Sequence, residues 1–347
     1  MKHNKFSDIG QFRNVVRDIK YAAQFVGMDN GEAVMNRDAE MPTVSFHGTV
    51  KLHGSNAGIA MDKDDNIWYQ GRKQIITIEK DNAGCAFFME SKKDILKEML
   101  LDIKSKNNFK NETIIIFGEW CGGNIQKGVA INGLDKMFMI FAVKVITDDE
   151  DQSNYYLERD KWSHCKSPEN RIYNINDYES FDIDINFENP AEIQNKLIEI
   201  TEQVERECPV GKAFGVSGIG EGVVYIGYYK NTRHVFKVKG DKHSSSKVKK
   251  LAKVDTEKLN SIKEFVDYAV TENRLNQAIE QVFTSNSIEP TRNGTGDFLR
   301  WVVNDITKEE IDTMTDNNLE PKDVNSHLSK KSRKWFFAKL DAEVGLK

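Results

Sequence analysis

The sequence predicts an α+β protein with an all-helical C-terminal part, and two observations lead to this prediction. Short segments of β-type composition follow one another from Thr43 onward, and one of them, Thr113–Phe117, is continuously apolar like a buried strand. Beyond residue 244, apolar residues recur at helical spacing instead. We therefore predict two domains, residues 1–243 and 244–347, as a chain of 347 residues allows at about 100 to 200 residues a domain.

Composition and charge argue against a membrane-spanning protein, a strongly basic nucleic-acid binder and a protein built on zinc or disulfides. The chain is 39% hydrophobic and 30% charged, and it has no apolar run of the roughly 20 residues that cross a membrane. Its net charge of −5 means that any nucleic-acid binding depends on local basic patches. The cysteines are scattered without a Cys-x-x-Cys pair, so we expect reduced thiols in a cytoplasmic protein, with no zinc site or disulfide framework. They are Cys85, Cys121, Cys165 and Cys208.

The first part of the chain begins with a helix and continues with strands. Apolar spacing predicts a helix over Ser7–Val26. The predicted β segments are Thr43–Val50, Ala57–Ala60, Ile67–Tyr69 and Ile75–Ile78, and a helical stretch follows over Ala86–Ile103. Asp62–Asn66 resembles half a calcium loop but lacks its glycine and distal glutamate, so we predict a hairpin turn there.

Lys51 ends the first predicted strand and has a glycine three residues later. A lysine in this position could be an amine nucleophile, and Gly54 would permit a tight turn and the close approach of a phosphate or base. The spacing Lys-x-x-Gly also occurs at Lys212 and Lys237, so the spacing alone is weak. The alternative is that Lys51 is an ordinary solvated surface lysine before a turn.

Two further strands present candidate side chains. Glu119 comes directly after the apolar run 113–117, where it either projects at the edge of the sheet or simply meets solvent. In the next strand, Met137–Val143, period-two alternation puts Phe138 and Phe141 on opposite faces, so one can belong to the core while the other faces a cleft.

A glycine-rich segment and a lysine pair come next. Residues 218–222 precede a strand and do not join a strand to a helix, which excludes a dinucleotide-binding loop. Glu221 lies there between two glycines. Lys237 and Lys239 share one face of the following strand, where they are either solvated or form an anion clamp.

Beyond residue 243 the sequence predicts a basic linker and then helices. The linker carries Lys247, Lys249, Lys250 and Lys253. Thr307–Glu310 has the pattern of a capping box that opens a helix. Basic residues stand beside aromatic ones in Lys330–Phe337, which suggests contact with nucleic acid.

These elements, taken in order, resemble the nucleotidyltransferase motifs of covalent ligases and capping enzymes. The match is closest to the phage-type RNA ligase 2 family, which includes nick-sealing and RNA-editing ligases. It covers residues 40–243, and His53, Ser55-Asn56 and Ile125–Lys127 resemble this family more than DNA ligases. The matching elements are Lys51–Gly54, Arg72, Phe117–Glu119, the strand of Phe138 and Phe141, Gly220–Val224 and Lys237–Lys239.

The resemblance implies a role for each matching residue. Antiparallel sheets, ATP-grasp-like, would surround a nucleotide cleft in which Lys51 becomes AMP-lysine and Glu221 binds Mg²⁺ (or Mn²⁺). The implied catalytic residues are Lys51, His53, Arg72, Lys237 and Lys239. The implied nucleotide contacts are Lys51, Asn56, Arg72, Glu119, Phe141, Glu221, Lys237 and Lys239.

The implied function is ATP-dependent RNA ligation by a monomer that acts in RNA repair. It would join 3′-hydroxyl and 5′-phosphate ends, at nicks in duplexes that contain RNA. The alternatives are a DNA ligase, a GTP-using capping enzyme and an inactive nucleic-acid-binding module. This sequence departs from the pattern at Val50, where nick-sealing relatives often have glutamate, and at Ala142, where many members have aspartate.

Overall fold

The computed structural model describes residues 1–147, 153–243, 262–317 and 319–344. The chain forms two compact units, each built from three segments. The first unit comprises Met1–Asp8, Thr49–Phe181 and Arg206–Glu221, and the second comprises Ile9–Gly48, Asp182–Glu205 and Gly222–Lys347. The predicted boundary at residue 243 stays a prediction.

The strands and helices have the following bounds. The strands are β1 (Phe25–Asp29), β2 (Glu32–Met35), β3 (Thr43–Lys51), β4 (Ser55–Met61), β5 (Ile67–Gly71), β6 (Ile75–Ile76), β7 (Thr113–Cys121), β8 (Met137–Ile146), β9 (Tyr155–Tyr156), β10 (Ile172–Asn174), β11 (Ser180–Asn186), β12 (Gly222–Tyr229) and β13 (Thr232–Lys239). The helices are α1 (Phe12–Gln24), α2 (Cys85–Glu90), α3 (Lys93–Lys106), α4 (Gln194–Arg206), α5 (Pro209–Ala213), α6 (Ile262–Ala269), α7 (Glu272–Val282), α8 (Thr295–Glu309), α9 (Ile311–Asp316) and α10 (Pro321–Val344).

The first unit is organised around one sheet in the order β10-β8-β7-β4-β5-β6, with β9 also paired to β8. Neighbouring strands are antiparallel except for β10 beside β8. One face packs its apolar residues, such as Ile116 and Phe138, against α2 and α3. The other face carries a smaller apolar cluster around Trp68 and Phe117, against which Phe6 packs.

The second unit contains a sheet in the order β11-β3-β12-β13 and a small β1-β2 hairpin. α1 packs on β13, with the rings of Phe12 and Phe236 5.2 Å apart. Helices α6 to α10 enclose their own apolar core, in which Phe298 and Phe336 stack at 4.3 Å. This arrangement confirms an α+β protein with antiparallel sheets and a helical C-terminal region.

Several predicted elements differ in extent from the observed ones. The first helix ends at Gln24, and Val26, which we predicted to be helical, lies in β1. The helical stretch 86–103 is two helices, α2 and α3. Asp62 accepts backbone hydrogen bonds from Asp64 and Asn66 in the turn between β4 and β5, which confirms the hairpin.

The helical part corrects two predictions. Thr307 does not open a helix, because residues 307–309 are the last turn of α8. Phe336 is fully buried in the helical core and Trp335 packs against it, so these aromatics are not a free surface beside the basic cluster. The linker lysines 247, 249, 250 and 253 lie outside the described residues. No helix in the described ranges is long and apolar enough to cross a bilayer.

Candidate active site

Lys51 and Glu221 form the centre of the site in the first unit. Lys51 is the last residue of β3, and its Nζ donates a hydrogen bond to Glu221 Oε2 at 2.7 Å. Glu221 directly precedes β12, and its carboxyl group is only 2% exposed. His53 Nδ1 lies 3.2 Å from the same oxygen. One buried carboxylate therefore holds both the predicted nucleophile and the neighbouring histidine.

Glu119 completes this group, which we call the Lys51 cluster (Lys51, His53, Glu119 and Glu221). Our expectation that Glu119 projects beyond a strand end is wrong, because β7 continues to Cys121. Glu119 lies in a central strand, paired with Asn56 of β4 on one side and Met139 of β8 on the other. Its backbone is held between these two neighbouring strands of the sheet.

Charge and burial set the ionisation of Glu119. Burial is the largest effect and raises its pKa, as does the negative charge of Glu221, while Lys51, His53 and a hydrogen bond from the Gly54 backbone lower it. The balance is a pKa of about 7. Near neutral pH this carboxyl group is therefore partly protonated, and the two carboxyl groups of the cluster repel each other when both are ionised.

Gly54 allows the turn after Lys51 to lie directly against β7. A Cβ atom at this position would stand 2.5 Å from the carbonyl oxygen of Trp120 and 2.9 Å from Cγ of Glu119. The glycine is thus needed for backbone packing inside the cluster. The close packing agrees with the tight turn that we predict here, and the approach of a phosphate or base stays a prediction.

Asn56 presents an unsatisfied polar atom beside Glu119. Its side-chain oxygen Oδ1 is buried and has no hydrogen-bond partner among the described residues. Buried polar atoms in folded proteins nearly always have a partner. This acceptor, next to the carboxyl group of Glu119 across β4 and β7, suits a hydroxyl or amino group of a bound molecule.

Phe138 and Phe141 lie on opposite faces of the sheet, as period two predicts. Phe138 is fully buried against the helices. Phe141 is half-buried on the other face, at a register shift of β8 against β7, and Phe6 meets it edge-on with ring centroids 5.1 Å apart. Ala142 is buried on this same face opposite Phe117, where an aspartate would be desolvated.

Arg72 follows β5 and is engaged by the N-terminal segment. Its Nη2 lies 3.2 Å from Asp8 Oδ1, and both side chains are well exposed. The segment is fixed next to it, because the buried side chain of Gln70 accepts a hydrogen bond from Asn4 N and donates one to Asn4 O. No pattern in the sequence indicates the contact between Arg72 and Asp8.

Lys237 and Lys239 belong to the second unit, on β13. Alternate residues of β13 are buried, and the two lysines share the half-buried face, as predicted. Lys237 Nζ donates to Glu309 Oε1 at 2.6 Å. Burial alone would raise the pKa of Glu309, but Lys237, Lys239 and Arg274 lower it to about 2. Sequence reasoning missed Glu309 as a partner because it placed that residue in a helix cap.

A second group of possible metal donors lies apart from these residues in the first unit. Asp102, His164 and Cys165 offer donor atoms within 4.8 Å of one another. Lys106 already pairs with Asp102 at 2.9 Å. Burial, then Asp102, raises the pKa of Cys165 to about 12, so the thiol is neutral at pH 7. The four cysteines are free and buried.

Comparison with known proteins identifies a family and several similar structures. A family model described as RNA ligase matches residues 44–249, more than half of the chain. The chain is similar to a solved Naegleria gruberi RNA ligase with PPi, at 18% identity and a TM-score of 0.41. It is also similar to a variant of that ligase with AMP and Mn, at 17% identity and a TM-score of 0.40. No curated protein sequence matches the chain.

The lengths of these proteins differ. The two alignments cover 68% of this chain but 56% and 55% of the two ligase chains. The chain thus spans little more than half the length of the solved ligases it matches.

Proposed function

The chain belongs to the RNA ligase family, and from this premise we propose that it is an ATP-dependent RNA ligase. The single observation that supports the proposal most is the Lys51 cluster. It holds a lysine at the end of a strand against a buried carboxylate, beside a second carboxyl group and an unsatisfied amide oxygen.

In the first step, Nζ of Lys51 attacks the α-phosphorus of ATP, forms a nitrogen–phosphorus bond and releases pyrophosphate. The amine must lose its proton before it can attack, and free lysine has a pKa of about 10.4. Glu221 Oε2, at 2.7 Å from Nζ, holds the ammonium group until ATP arrives, and the proton is then lost to solvent. His53 Nδ1, at 3.2 Å from the same oxygen, also helps to keep the carboxylate in place.

The carboxyl groups of the cluster also fit a divalent cation. The mutual repulsion of Glu119 and Glu221 would be relieved by a positive ion, and carboxylate oxygens are the ligands that Mg²⁺ prefers. Glu221 would hold the Mg²⁺ (or Mn²⁺), which would supply charge stabilisation for the phosphates.

We assign the nucleotide contacts as follows. The amide oxygen of Asn56 accepts a hydrogen bond from the nucleotide, and the carboxyl group of Glu119 binds the ribose hydroxyls. Phe141 offers a stacking face to adenine, because its ring is only half-buried on the face of Phe117. Arg72, Lys237 and Lys239 bind phosphate oxygens, which requires Arg72 to leave Asp8 and Lys237 to leave Glu309.

The complete reaction has two further steps. AMP passes from Lys51 to the 5′-phosphate of an RNA strand, and a 3′-hydroxyl then displaces AMP to give a phosphodiester. We propose nicked duplexes that contain RNA as the substrate and a cytoplasmic monomer as the active form. A DNA ligase and a GTP-using capping enzyme would use the same first step. An inactive binding module would have no need of the Lys51 cluster.

Self-adenylylation tests the proposal. The protein is incubated with Mg²⁺ and labelled ATP or GTP, resolved on a denaturing gel and mapped by mass spectrometry. We expect an AMP adduct on Lys51 that Lys51→Ala abolishes. Lys212→Ala is the matched control, because Lys212 has the same Lys-x-x-Gly spacing but an exposed side chain paired with Glu207. Labelling by GTP alone, or at another lysine, would refute the assignment.

A further inference from the structure

Glu309, the last residue of α8, lies against the lysine pair of β13. Its Oε1 is 2.6 Å from Nζ of Lys237, and both side chains are mostly buried, at 17% and 19% exposed. Lys239 also acts electrostatically on this carboxylate. The carboxylate of Glu309 thus interacts with both of the lysines that we assign to phosphate binding.

The segment before α1 holds Glu309 in this position. Nε2 of Gln11 donates to Glu309 Oε2 at 3.2 Å and lies 3.3 Å from its backbone oxygen. Arg13 Nη2 donates to the same backbone oxygen at 2.5 Å. The neighbouring residue Gly10 is tied to β13, because its carbonyl oxygen accepts the backbone N–H of Lys237 at 3.1 Å. The carboxylate is therefore fixed by neutral and backbone contacts as well as by charge.

We propose that Glu309 is an internal competitor of the ATP phosphates, which must displace its carboxylate from Lys237 and Lys239 before the first step can occur. This inference rests on the function proposed above. A lysine ammonium is a compact charge with three donors, and it binds a carboxylate or a phosphate oxygen with the same groups. Because Glu309 belongs to the helical part, the contact makes nucleotide binding depend on how that part is held.

The contact also supplies a negative charge next to lysines that are partly buried. A buried cation without a partner is costly, so an anion must be present before the nucleotide arrives. The alternative is that Glu309 positions Lys237 for catalysis and stays bound to it throughout. The two roles predict opposite effects when the charge of Glu309 is removed.

The test compares Glu309→Gln with Asp312→Asn in the full chain. The glutamine has nearly the same shape and keeps one oxygen for Gln11, while it removes the charge and replaces the oxygen that accepts from Lys237 by an NH2 group. Asp312 is a matched control, because it also joins α1 to the helical part, through Arg17 at 2.9 Å, without being a partner of Lys237. ATP binding is measured by calorimetry in a Lys51→Ala background, and self-adenylylation is measured at ATP concentrations below KM in chains that retain Lys51.

We expect Glu309→Gln to bind ATP about fivefold more tightly and to undergo self-adenylylation about fivefold faster at low ATP, the size expected for loss of one competing ion pair. Asp312→Asn should have the same ATP affinity and the same rate of self-adenylylation as the chain without this substitution. The gain in affinity should vanish in a Lys237→Ala background. Gln11→Ala, which loosens Glu309 without changing its charge, should show a smaller gain and serves as the second variant if Glu309→Gln folds poorly.

Unchanged or weaker ATP binding by both Glu309→Gln and Gln11→Ala, with active parent enzyme, would overturn the inference and favour a positioning role. Absence of Lys51 labelling in the parent would instead refute the proposed function. The two failures are therefore distinguishable.

Discussion

At the scale of single residues, the geometry around Lys51 depends on one backbone position. Gly54 lies so close to β7 that its missing side chain makes room for Trp120 and Glu119. The turn that presents Lys51 and His53 is thus packed against the strand that presents Glu119. A larger residue at position 54 would therefore displace these side chains relative to one another, although each of them would still be present.

We predict that Gly54→Ala lowers both stability and adenylylation. The added methyl group would overlap backbone atoms of β7, which costs about 1 to 3 kcal/mol in a packed interior and moves Lys51 relative to Glu119. Thermal unfolding and labelling with ATP measure the two effects.

Gly133→Ala is the control for this prediction, because a Cβ there meets nothing within 4 Å. Gly133 also lies in the first unit. If Gly54→Ala and Gly133→Ala have the same unfolding temperature and the same rate of labelling with ATP, close packing at Gly54 does not position the Lys51 cluster.

Sequence patterns pointed to the residues of the Lys51 cluster, but they did not show which strands hold these residues or which distant residues contact them. Lys51 and Glu221 stand out because each is placed by neighbouring residues along the chain, a strand end and a glycine pair. Glu119 was placed outside its strand because the glycine in Phe117-Gly118-Glu119 interrupts the apolar run, although β7 continues. Contacts between residues that are distant in sequence, such as Arg72 and Asp8, produce no local sequence pattern and could not be predicted.

At the scale of elements, β13 and α8 are joined through Lys237 and Glu309. A lysine on a solvated strand face costs little to truncate, and from the sequence that is the expected behaviour. The mostly buried ion pair changes this expectation, because removal of Lys237 takes away the hydrogen-bonded cation of the Glu309 carboxylate.

We therefore predict that Lys237→Ala destabilises the protein by roughly 1 to 3 kcal/mol. Addition of Glu309→Gln to that variant should restore most of the loss, because no carboxylate then remains unpaired. Urea unfolding of the two single variants and the double variant measures the coupling. Strictly additive losses would show that the pair does not act as a unit.

The same pair predicts a dependence of stability on pH. The pKa of Glu309 is lowered from 4.5 to about 2 in the folded protein, so its contribution is present above pH 4.5 and is lost as the pH falls toward 2. Integrated over that window, the contribution is up to about 3 kcal/mol. Wild type should lose this much more than Glu309→Gln in urea unfolding between pH 5 and pH 2.

Glu207→Gln is the control for this titration, because Glu207 is half-exposed and pairs with Lys212 at the surface. It should follow wild type over the whole range. Parallel curves for wild type and Glu309→Gln would mean that the ion pair contributes no net stability.

Patterns of apolar residues predicted most elements but not all of their limits. β3 and β8 begin at the predicted residues, Thr43 and Met137, because their runs of β-type and apolar residues begin there. β11 was not predicted, although its residues alternate between exposed and buried positions over Ser180–Asn186. The interruption of α8 before α9 was misread because Thr307–Glu310 fits a capping pattern that occurs here at a helix end.

At the scale of the whole molecule, the C-terminal part is expected to serve the polynucleotide. A chain ending at His243 keeps the Lys51 cluster and both lysines of β13, so we predict that it still forms AMP-Lys51. It should lose most sealing of a nicked duplex. Its stability should also fall, because Arg13 and Arg17 lose their partners at Glu310 and Asp312.

This prediction is measured with the full and truncated chains, at equal salt, on nicks with RNA or DNA at the 3′-hydroxyl side. Circular dichroism first establishes that the truncated chain is folded. Equal sealing by both chains would make the helical part structural only. A strong preference of the full chain for an all-DNA nick would favour the DNA-ligase alternative.

The interleaving of the two units along the chain has a consequence for synthesis on the ribosome. The first unit needs Arg206–Glu221, and the second needs segments from Ile9 to the helical end of the chain. A nascent chain that has not yet emerged to residue 221 can therefore complete neither unit. β3 must wait for β12, which is translated more than 170 residues later. Such distant strand pairing slows folding, so early segments stay exposed to chaperones and proteases until translation is well advanced.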